Sequence, residues 1–236
     1  MRQVPKYLLI GNGRLARHLN RYLTLLDIPH DHWHRQMPLS GLDVLLKDAT
    51  HILLAIKDDA IESFSRQHLQ RTKAVKIHFS GALVMKEAVG AHPLMTFGQD
   101  LYSLEKYRAI PFVVDEGAPA FEALLPGLPN PHVFLSPDMK PKYHALCVMA
   151  GNFSCLLWQK LFDTLAVEMN IPPQTGELYL RQQTENLLHN YKTALTGPLV
   201  RGDAATLEKN MRALEGDAFE NVYQSFIGAY KKEKAS

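Results

Sequence analysis

The stretch that decides the fold lies near the start of the chain and reads Tyr7-Leu8-Leu9-Ile10-Gly11-Asn12-Gly13-Arg14-Leu15-Ala16. An apolar run, typical of a buried strand, leads into the pattern Gly-x-Gly-x-x-Ala and then into a helical pattern. In this pattern Gly11 allows the tight turn, Gly13 lets a ligand approach the backbone, and Ala16 allows the helix to pack closely on the strand. Free amides and the helix dipole favour negative charge there, so we expect a dinucleotide pyrophosphate to bind this loop.

Strand and helix patterns alternate through the first half of the chain. The predicted strands are Tyr7–Ile10, His30–His34, His51–Ile56, Val75–Phe79, Pro111–Val114 and His132–Leu135. Apolar residues at three- and four-residue spacing predict crossover helices at Arg14–Leu26 and Asp59–Leu69. This order is typical of an α/β fold of the Rossmann type, a parallel sheet with helices on both faces.

A cluster of prolines separates the first half from a wholly helical second half. Prolines at 126, 129, 131, 137 and 141 argue against a helix or central strand, which places a domain boundary near Ser136. We therefore expect domains at 1–136 and 137–236, the second smaller and all-α. Its predicted helices are Tyr143–Leu157, Leu161–Asn170, Glu177–Leu195, Ala204–Leu214 and Ala218–Tyr230, and Lys231–Ser236 is expected to fray.

Composition and charge exclude several classes of partner. The 236 residues are 46% hydrophobic, enough for real cores, and 26 Lys and Arg nearly balance 24 Asp and Glu. This balance gives no strong signal for nucleic acid or an anionic membrane. No leader pattern or membrane span is evident, and the two cysteines, Cys147 and Cys155, suggest a reducing compartment. We expect a cytoplasmic protein that acts on a small molecule.

The end of the second predicted strand indicates which dinucleotide binds. An acidic residue about twenty positions beyond the glycines would bind the ribose of NAD, but this chain has His34 and Arg35 there. A guanidinium matches the 2′-phosphate of NADP in charge and shape, and Arg14 could assist. The alternative is that Arg35 is a solvated strand-end residue. The missing carboxylate also argues against a methyltransferase.

Three histidines on the same predicted strand raise the question of a metal. His30, His32 and His34 alternate, so they would share one strand face and could in principle bind zinc. Residues along one strand diverge, however, and no carboxylate or cysteine partner stands out. A role beside the nucleotide or on the surface is favoured, and no metal site is predicted.

Ligands of open parallel sheets lie at the carboxyl ends of the strands, so the residues that follow each strand are candidate contacts. Ala55, Ile56 and Lys57 end the third predicted strand. Ser80 and Gly81 end the fourth, where a nicotinamide ribose would lie. We expect these residues to bind the cofactor, and we expect 91–97 to form a short loop at the edge of the active site.

Taken in order, several short blocks of the chain together resemble one family. The blocks are Gly11-Asn12-Gly13-Arg14, Ile56-Lys57-Asp58-Asp59-Ala60-Ile61, His78-Phe79-Ser80-Gly81-Ala82, Gly90-Ala91-His92-Pro93-Leu94-Met95-Thr96-Phe97, Tyr143-His144-Ala145, Ala150-Gly151-Asn152-Phe153 and Leu195-Thr196-Gly197-Pro198-Leu199-Val200-Arg201-Gly202-Asp203. They resemble the Rossmann-like proteins with a C-terminal helical domain of unknown function. That family is similar to pyrroline-5-carboxylate reductase and the 6-phosphogluconate dehydrogenase-like group.

The resemblance implies an NADP-linked oxidoreductase architecture and a helical second domain that forms a homodimer. It gives no substrate. Two residues depart from the family pattern: Lys57 replaces the usual proline after the strand, and Met95 replaces the usual glutamine. If Met95 borders the substrate, the polarity of the ligand differs in this protein.

Two residues, His92 and Asn152, are candidates for the chemistry itself. Hydride transfer needs one proton supplied or removed, and His92 at the active-site edge is our first choice as proton donor, although a His-Pro pair also ends strands. His78, between Ile77 and Phe79, is expected to be buried and hydrogen-bonded. By analogy with related dehydrogenases, Asn152 contacts the nicotinamide carboxamide or the substrate. The alternative for Asn152 is a helix-packing amide.

Two more candidates lie in the second domain. By resemblance Thr196 and Arg201 belong to the substrate site. Physically, residues 196–198 form a helix stop and Asp203 is a good N-cap for the next helix. Arg201 could bind a substrate carboxylate or pair with Asp203. These alternatives remain open at the level of sequence.

Two functions fit these observations. The first is an NADP-dependent reductase or dehydrogenase that acts on a small imine, ketone or alcohol. The second is a non-catalytic protein that senses NADP(H) or assembles with a partner through the same fold. The chain has no Gly-x-Ser-x-Gly elbow, His-Glu-x-x-His helix or paired-cysteine zinc pattern, so acyl transfer and metal-dependent hydrolysis have little support.

Overall fold

A computed structural model describes residues 5–235. The chain divides between Leu156 and Leu157 into two compact units, an α/β unit and a helical unit, each described here by itself. The boundary near Ser136 stays a prediction of where the second functional domain begins.

The α/β unit is built on a seven-stranded sheet in the order β2-β1-β3-β4-β5-β6-β7. The strands are β1 (Tyr7–Ile10), β2 (His30–Trp33), β3 (His51–Leu54), β4 (Val75–His78), β5 (Val89–Pro93), β6 (Phe112–Asp115) and β7 (His132–Leu135). Strands β1 to β5 are parallel, which confirms the Rossmann-type prediction. The carboxyl ends of β1, β3, β4 and β5 therefore meet at one edge, which we call the carboxyl edge.

Two features of the sheet differ from the prediction. Residues 91–93 of the loop expected over 91–97 belong instead to strand β5, whereas 94–97 form a loop as expected. The strand forms because β5 pairs with β4 and β6, and the Gly- and Pro-containing segment gives no local sign of this pairing. Strand β6 is antiparallel to β5, and β7 follows β6 in parallel, so the sheet is not wholly parallel. Both departures come from pairing between distant segments.

Helices cover both faces of the sheet, as expected from its apolar strands. The helices of this part of the chain are α1 (Arg14–Leu25), α2 (Leu39–Leu45), α3 (Asp58–His68), α4 (Leu104–Ala109) and α5 (Phe121–Leu124). One core contains Leu9, Leu53 and Ile77 with residues of α1. The other contains Leu8 and Ile52 with residues of α2 and α3. Alternate side chains of β1 and β3 thus enter opposite cores.

A long helix follows the sheet. It comprises α6 (Lys140–Cys147), a π-helical segment Val148–Phe153, and α7 (Ser154–Val167). The two separate helices predicted over Tyr143–Leu157 and Leu161–Asn170 are therefore wrong as separate elements. No Gly or Pro stands between 157 and 161, so no residue there ends the helix.

The helical unit confirms the prediction of an all-α second part. Its further helices are α8 (Glu177–Asn190), α9 (Pro198–Arg201), α10 (Ala204–Ala213) and α11 (Glu220–Ala235). Helix α8 ends before the predicted Leu195, and α11 includes Lys231–Ala235, where fraying was expected. The last residue of that expected tail, Ser236, lies outside the described residues.

The long helices carry an unusual amount of exposed apolar surface. Helices α7, α8, α10 and α11 contain no buried residue, and large apolar side chains such as Val167 and Leu188 are 83% exposed. By length and composition, the helix Pro137–Val167 would be able to cross a membrane, and it is the one such helix within residues 5–235. Core helices of soluble proteins can meet the same criterion.

Candidate active site

The glycine loop between β1 and α1, which we call the phosphate loop (Gly11–Leu15), is fixed by its first glycine. Gly11 has a φ of +134°, a conformation that side-chain-bearing residues rarely adopt. A Cβ on Gly11 would also collide with the carbonyl oxygen of Ala55, at the end of β3. Gly11 is therefore required by the fold, whether or not a ligand binds.

The fold does not require a glycine at the second position of the loop, Gly13. A Cβ placed on Gly13 meets no atom of residues 5–235 within 4 Å, and the φ of Gly13, −78°, is open to any residue. Gly13 is the N-cap of α1, no side chain among the described residues caps this helix, and its first turn contains no acidic residue. The loop thus offers an uncapped helix N-terminus beside open space, which fits the pyrophosphate of a dinucleotide.

Two histidines of β2 have protein partners of their own. His32 hydrogen-bonds through Nε2 to the carbonyl oxygen of Gly11 and so ties β2 to the phosphate loop. The ring nitrogens of His30 lie 2.8 Å from the oxygen of Ile28 and 3.2 Å from Oδ1 of Asn20. These contacts favour a structural role beside the nucleotide over a shared metal site.

The residues at the end of β2 are placed as NADP recognition would require. Arg35 is exposed, and none of the described carboxylates lies within ion-pair distance of it or of Arg14. The nearby Asp31 is already paired with Lys6, at 2.9 Å. Nδ1 of His34 is buried without a hydrogen-bond partner in the described chain. The free charge at this strand end is therefore positive.

The ends of β3 and β4 are joined by a side-chain hydrogen bond. The hydroxyl of Ser80 donates to Oδ2 of Asp58, and its oxygen accepts from the backbone amide of Leu83, at 3.0 Å. Ser80 thus has a structural task in addition to the predicted contact with cofactor. Lys57 is exposed and has a φ of −62°, the value that proline adopts, so replacing the family's proline leaves the backbone path unchanged.

Four residues from three parts of the chain form what we call the edge cluster (Gly81, His92, Tyr143 and His144). Nδ1 of His92 lies 2.8 Å from the hydroxyl of Tyr143, and the His92 and His144 rings are perpendicular with centroids 5.8 Å apart. A Cβ on Gly81 would collide with the His144 ring and approach the His92 ring to 3.2 Å. Gly81 therefore makes room for both imidazoles at the carboxyl edge.

Burial controls the protonation states in the edge cluster. Burial, with smaller contributions from the nearby His144 and Lys140, lowers the pKa of His92 to about 4. Burial also raises the pKa of Tyr143, and the neighbouring Cys147 thiol adds to this effect. Near neutral pH, His92 is therefore a neutral imidazole and Tyr143 a neutral phenol.

A buried ion pair, which we call the Lys140 anchor, holds the start of α6 against the sheet. Nζ of Lys140 lies 2.6 Å from Oδ1 of Asp115 and donates to the carbonyl of Leu83 at 2.7 Å. Oδ2 of Asp115 accepts from the amide of Gly90, where a Cβ would collide with Lys140. Tyr143 and His144 lie one turn farther along α6, so this anchor positions them.

His78 was expected to be buried and hydrogen-bonded, and the second half of that prediction is wrong. It is fully buried on β4, but neither ring nitrogen has a hydrogen-bond partner within residues 5–235. Burial and the nearby positive charge of Lys140 lower its pKa to about 4. Gly90 is its register partner, so His78 lies beside the Lys140 anchor.

Asn152 lies in the π-helical segment and is exposed. Exposure argues against the helix-packing alternative, and π-helical turns within α-helices are frequent at functional sites. The hydroxyl of Ser154 donates to the carbonyls of Ala150, at 2.6 Å, and Gly151, at 2.9 Å. Ser154 thereby satisfies carbonyl groups that the π geometry displaces from the α-helical hydrogen-bond pattern.

The remaining candidates have local explanations in the structure. Asp203 caps α10, as predicted, by accepting from the amide of Thr206 at 3.0 Å. Hydrogen bonds from Thr206, with help from the charge of Arg201, lower the pKa of Asp203. Thr196 and Arg201 are exposed in the helical unit, and their part in a substrate site stays a prediction. Met95 packs against the core of the α/β unit.

Sequence reasoning missed Tyr143, His144, Lys140 and Asp115 as parts of this site. Tyr143 and His144 stood within a block of the family resemblance, which was a usable signal. Lys140 and Asp115 gave no usable signal in the sequence, because a charged residue at a helix start or strand end is usually solvated.

The second half of the chain matches a known protein family. Residues 111–229, half of the chain, match the family model described as "Domain of unknown function (DUF2520)". The chain belongs to the DUF2520 family. The matched residues include β6, the Lys140 anchor's two charged residues and the α6 part of the edge cluster. No curated protein matches this DUF2520 chain by sequence.

Solved structures similar to this DUF2520 protein share its fold over nearly the whole length. A candidate NADP oxidoreductase from Bacteroides fragilis is 19% identical with a TM-score of 0.77, covering 97% of this chain and 98% of that one. Pyrroline carboxylate reductase from Plasmodium falciparum, solved with NADP bound, is 13% identical with a TM-score of 0.58, covering 98% of each chain. A reductive aminase from Aspergillus terreus, in complex with NADPH4, cyclohexanone and allyl amine, is 13% identical with a TM-score of 0.61, covering 98% of this chain and 93% of that one. These likenesses confirm the predicted Rossmann-type fold and the resemblance to pyrroline-5-carboxylate reductase.

Proposed function

We propose that this protein is an NADP-dependent oxidoreductase that reduces a small imine or ketone, or oxidises the corresponding amine or alcohol. The observation that carries the proposal is the uncapped N-terminus of α1 at Gly13. It faces open space, and internal packing does not require a glycine at this position. The unpaired Arg35 at the end of β2 supports NADP over NAD. Three structural neighbours, one named as a candidate NADP oxidoreductase, one solved with NADP and one solved with NADPH4, agree with this assignment.

In this proposal, different residues along the carboxyl edge bind different parts of the cofactor and the substrate. Backbone amides of the phosphate loop hold the pyrophosphate, while Arg35 and Arg14 hold the 2′-phosphate. Ala55, Ile56, Lys57, Ser80 and Gly81 line the path toward the nicotinamide. When bound, reduced NADP supplies the hydride, so the protein's own chemistry is orientation and proton transfer. His92 and Asn152 act at the nicotinamide end of the cofactor, where the reaction takes place. Thr196 and Arg201 contact the substrate.

Two measurements test this function in sequence. Calorimetry should detect NADPH binding to the pure protein and weaker binding of NADH. Absorbance at the reduced-nicotinamide band should then fall in the presence of at least one member of a panel of cyclic imines and ketones. Binding without turnover across the panel would instead favour a sensor of NADP(H), and absence of any binding would overturn the nucleotide assignment.

We also propose that the protein is a cytoplasmic homodimer that pairs through its helical unit. The support is the unburied apolar surface of α7 and α8, where Val167 and Leu188 are 83% and Leu178 is 74% exposed. The free thiols Cys147 and Cys155 fit a reducing compartment.

Sedimentation at micromolar concentration should give twice the monomer mass. Leu188→Glu, which places a charge on the proposed interface, should shift the protein toward monomer, whereas Glu208→Gln on the exposed side of α10 should not. A wild-type monomer would overturn the dimer. Co-sedimentation with phospholipid vesicles would assign the apolar surface to a membrane.

A further inference from the structure

Tyr143 carries a polar group at the carboxyl edge that the proposed function does not yet use. Its hydroxyl lies 2.8 Å from Nδ1 of His92, and its ring is half-buried on the first turns of α6. The Lys140 anchor fixes the backbone one turn earlier in the same helix. The hydroxyl is therefore held in place from two sides, by its helix and by β5.

We propose that Tyr143 is the catalytic residue that gives the proton to the substrate, and that His92 is the positioning residue that reprotonates it. The inference rests on the proposed oxidoreductase function and names the donor that this function requires. The role of immediate proton donor is thus assigned to Tyr143 and no longer to His92. His92 keeps a role in the same proton pathway.

The proton step balances without any further reactant. As hydride reaches the carbon of a C=N or C=O group, the electron pair of that double bond moves to nitrogen or oxygen. The Oη–H bond of Tyr143 breaks, and a new N–H or O–H bond forms on the substrate. Nδ1–H of His92 then returns a proton to the phenolate oxygen, while Nε2 takes one from water. The imidazole ends neutral, and the net consumption is one solvent proton.

Charge and burial favour Tyr143 over the imidazoles as the immediate donor. A neutral His92 at neutral pH carries no imidazolium proton to give, since its pKa is lowered to about 4. The charged groups that act on His92 are His144 and Lys140, which lower its pKa, and Asp58 at the start of α3, which raises it. The group that acts on Tyr143 is the neighbouring Cys147 thiol on α6.

The test compares substrates that need a proton with substrates that do not. A neutral cyclic imine, assayed at a pH where it is unprotonated, must receive a proton on nitrogen, whereas its N-methyl iminium is already a cation and accepts hydride alone. Tyr143→Phe should lower kcat on the neutral imine by about 10²–10⁴-fold, the usual range for a lost general acid. Turnover of the N-methyl iminium and the Kd for NADPH should stay within about twofold.

A matched control deletes another buried tyrosine hydroxyl. Tyr22 donates to Oδ1 of Asn130 at 2.7 Å and lies nine residues into α1, roughly 13 Å along the helix from the carboxyl edge. Tyr22→Phe should change neither rate, and thermal unfolding should confirm that both variants are folded.

A second readout does not depend on turnover. In ¹⁵N NMR of the protein without cofactor, the Nδ1 resonance of His92 should move in Tyr143→Phe, because its hydrogen-bond partner is gone, and should not move in Tyr22→Phe. An unchanged His92 resonance, or equal rate losses on the imine and the N-methyl iminium, would overturn the Tyr143 inference alone. A wild-type protein that binds NADPH but turns over neither class would overturn the oxidoreductase proposal, and this inference with it.

Discussion

The phosphate loop and the edge cluster lie at the same edge of one sheet but are built in opposite ways. The phosphate loop is five consecutive residues, exposed at Asn12, Gly13 and Arg14, and its form follows from local backbone conformation. The edge cluster joins β4, β5 and α6, consists of a buried glycine and three half-buried side chains, and depends on an ion pair between residues 115 and 140. The proposed nucleotide binding thus depends on a local motif, and the proposed proton transfer depends on long-range packing.

The largest expected effect concerns the Lys140 anchor. Lys140→Met should lower the free energy of unfolding by about 3–5 kcal/mol, because it leaves the Asp115 carboxylate buried without its partner. Lys160→Met is the matched control: its ion pair with Asp217 has the same 2.6 Å distance but is 30% and 26% exposed, so a much smaller loss of stability is expected. Urea unfolding measures both. Equal losses would mean that burial does not distinguish the two pairs.

A second expected effect is on stability as a function of pH. The pKa of His78 is about 4 in the folded protein against 6.5 for the free side chain, so the unfolded chain binds more protons between these values. The contribution of His78 to the free energy of unfolding should be fully present above pH 6.5. It should fall by about 3 kcal/mol as the pH is lowered to 4. His78→Leu should flatten that slope, and His189→Gln, at an exposed position, should not. A slope unchanged by His78→Leu would contradict the burial effect.

A third expected effect tests nucleotide choice at the phosphate-binding end. Arg35→Ala should weaken NADPH binding by about 1.5–3 kcal/mol, as for a lost charge-assisted hydrogen bond, and leave NADH nearly unchanged. Arg71→Ala, an exposed arginine on the loop before β4, is the control and should affect neither cofactor. Calorimetry with both cofactors gives the comparison. Equal weakening of NADPH and NADH would assign Arg35 to another role.

The smallest stability change, and the sharpest contrast within the motif, is expected for the two glycines. Gly13→Ala should change the free energy of unfolding by about 1 kcal/mol or less yet weaken NADPH at least tenfold, about 1.4 kcal/mol, because the added methyl enters ligand space. Gly11→Ala should cost about 2 kcal/mol or more of stability, since it combines strain with a collision. A Gly13→Ala protein that binds NADPH normally would remove the pyrophosphate from this position.

The same contrast explains how far the sequence predicts the molecule. Periodicity and glycine spacing predicted β1 to β4, α1 and α3, because each depends on neighbours within a few residues. The β5 strand and the reversal at β6 escaped prediction, since the ladder of Ala91 with Val114 joins segments 23 residues apart and leaves no local trace. The tight turn at Gly11 and the close packing of Ala16 were also predicted, and the structure confirms both. The contacts of His92 with Tyr143 and of Lys140 with Asp115 were not predicted, because only the folded sheet brings them together.

The reversal of β6 and β7 has a consequence for how the chain reaches the edge cluster. Since β7 runs opposite to β5, its last residue, Leu135, lies level with Asp115 and therefore with Gly90, in the row of the sheet that contains Ile10. Helix α6 follows from this level and runs along the part of β5 that extends beyond it: Lys140 lies beside Gly90, and one turn later Tyr143 contacts His92. Had β6 and β7 run parallel to β5, the chain would have left the sheet beyond His92, and the first turn of α6 would not have reached it.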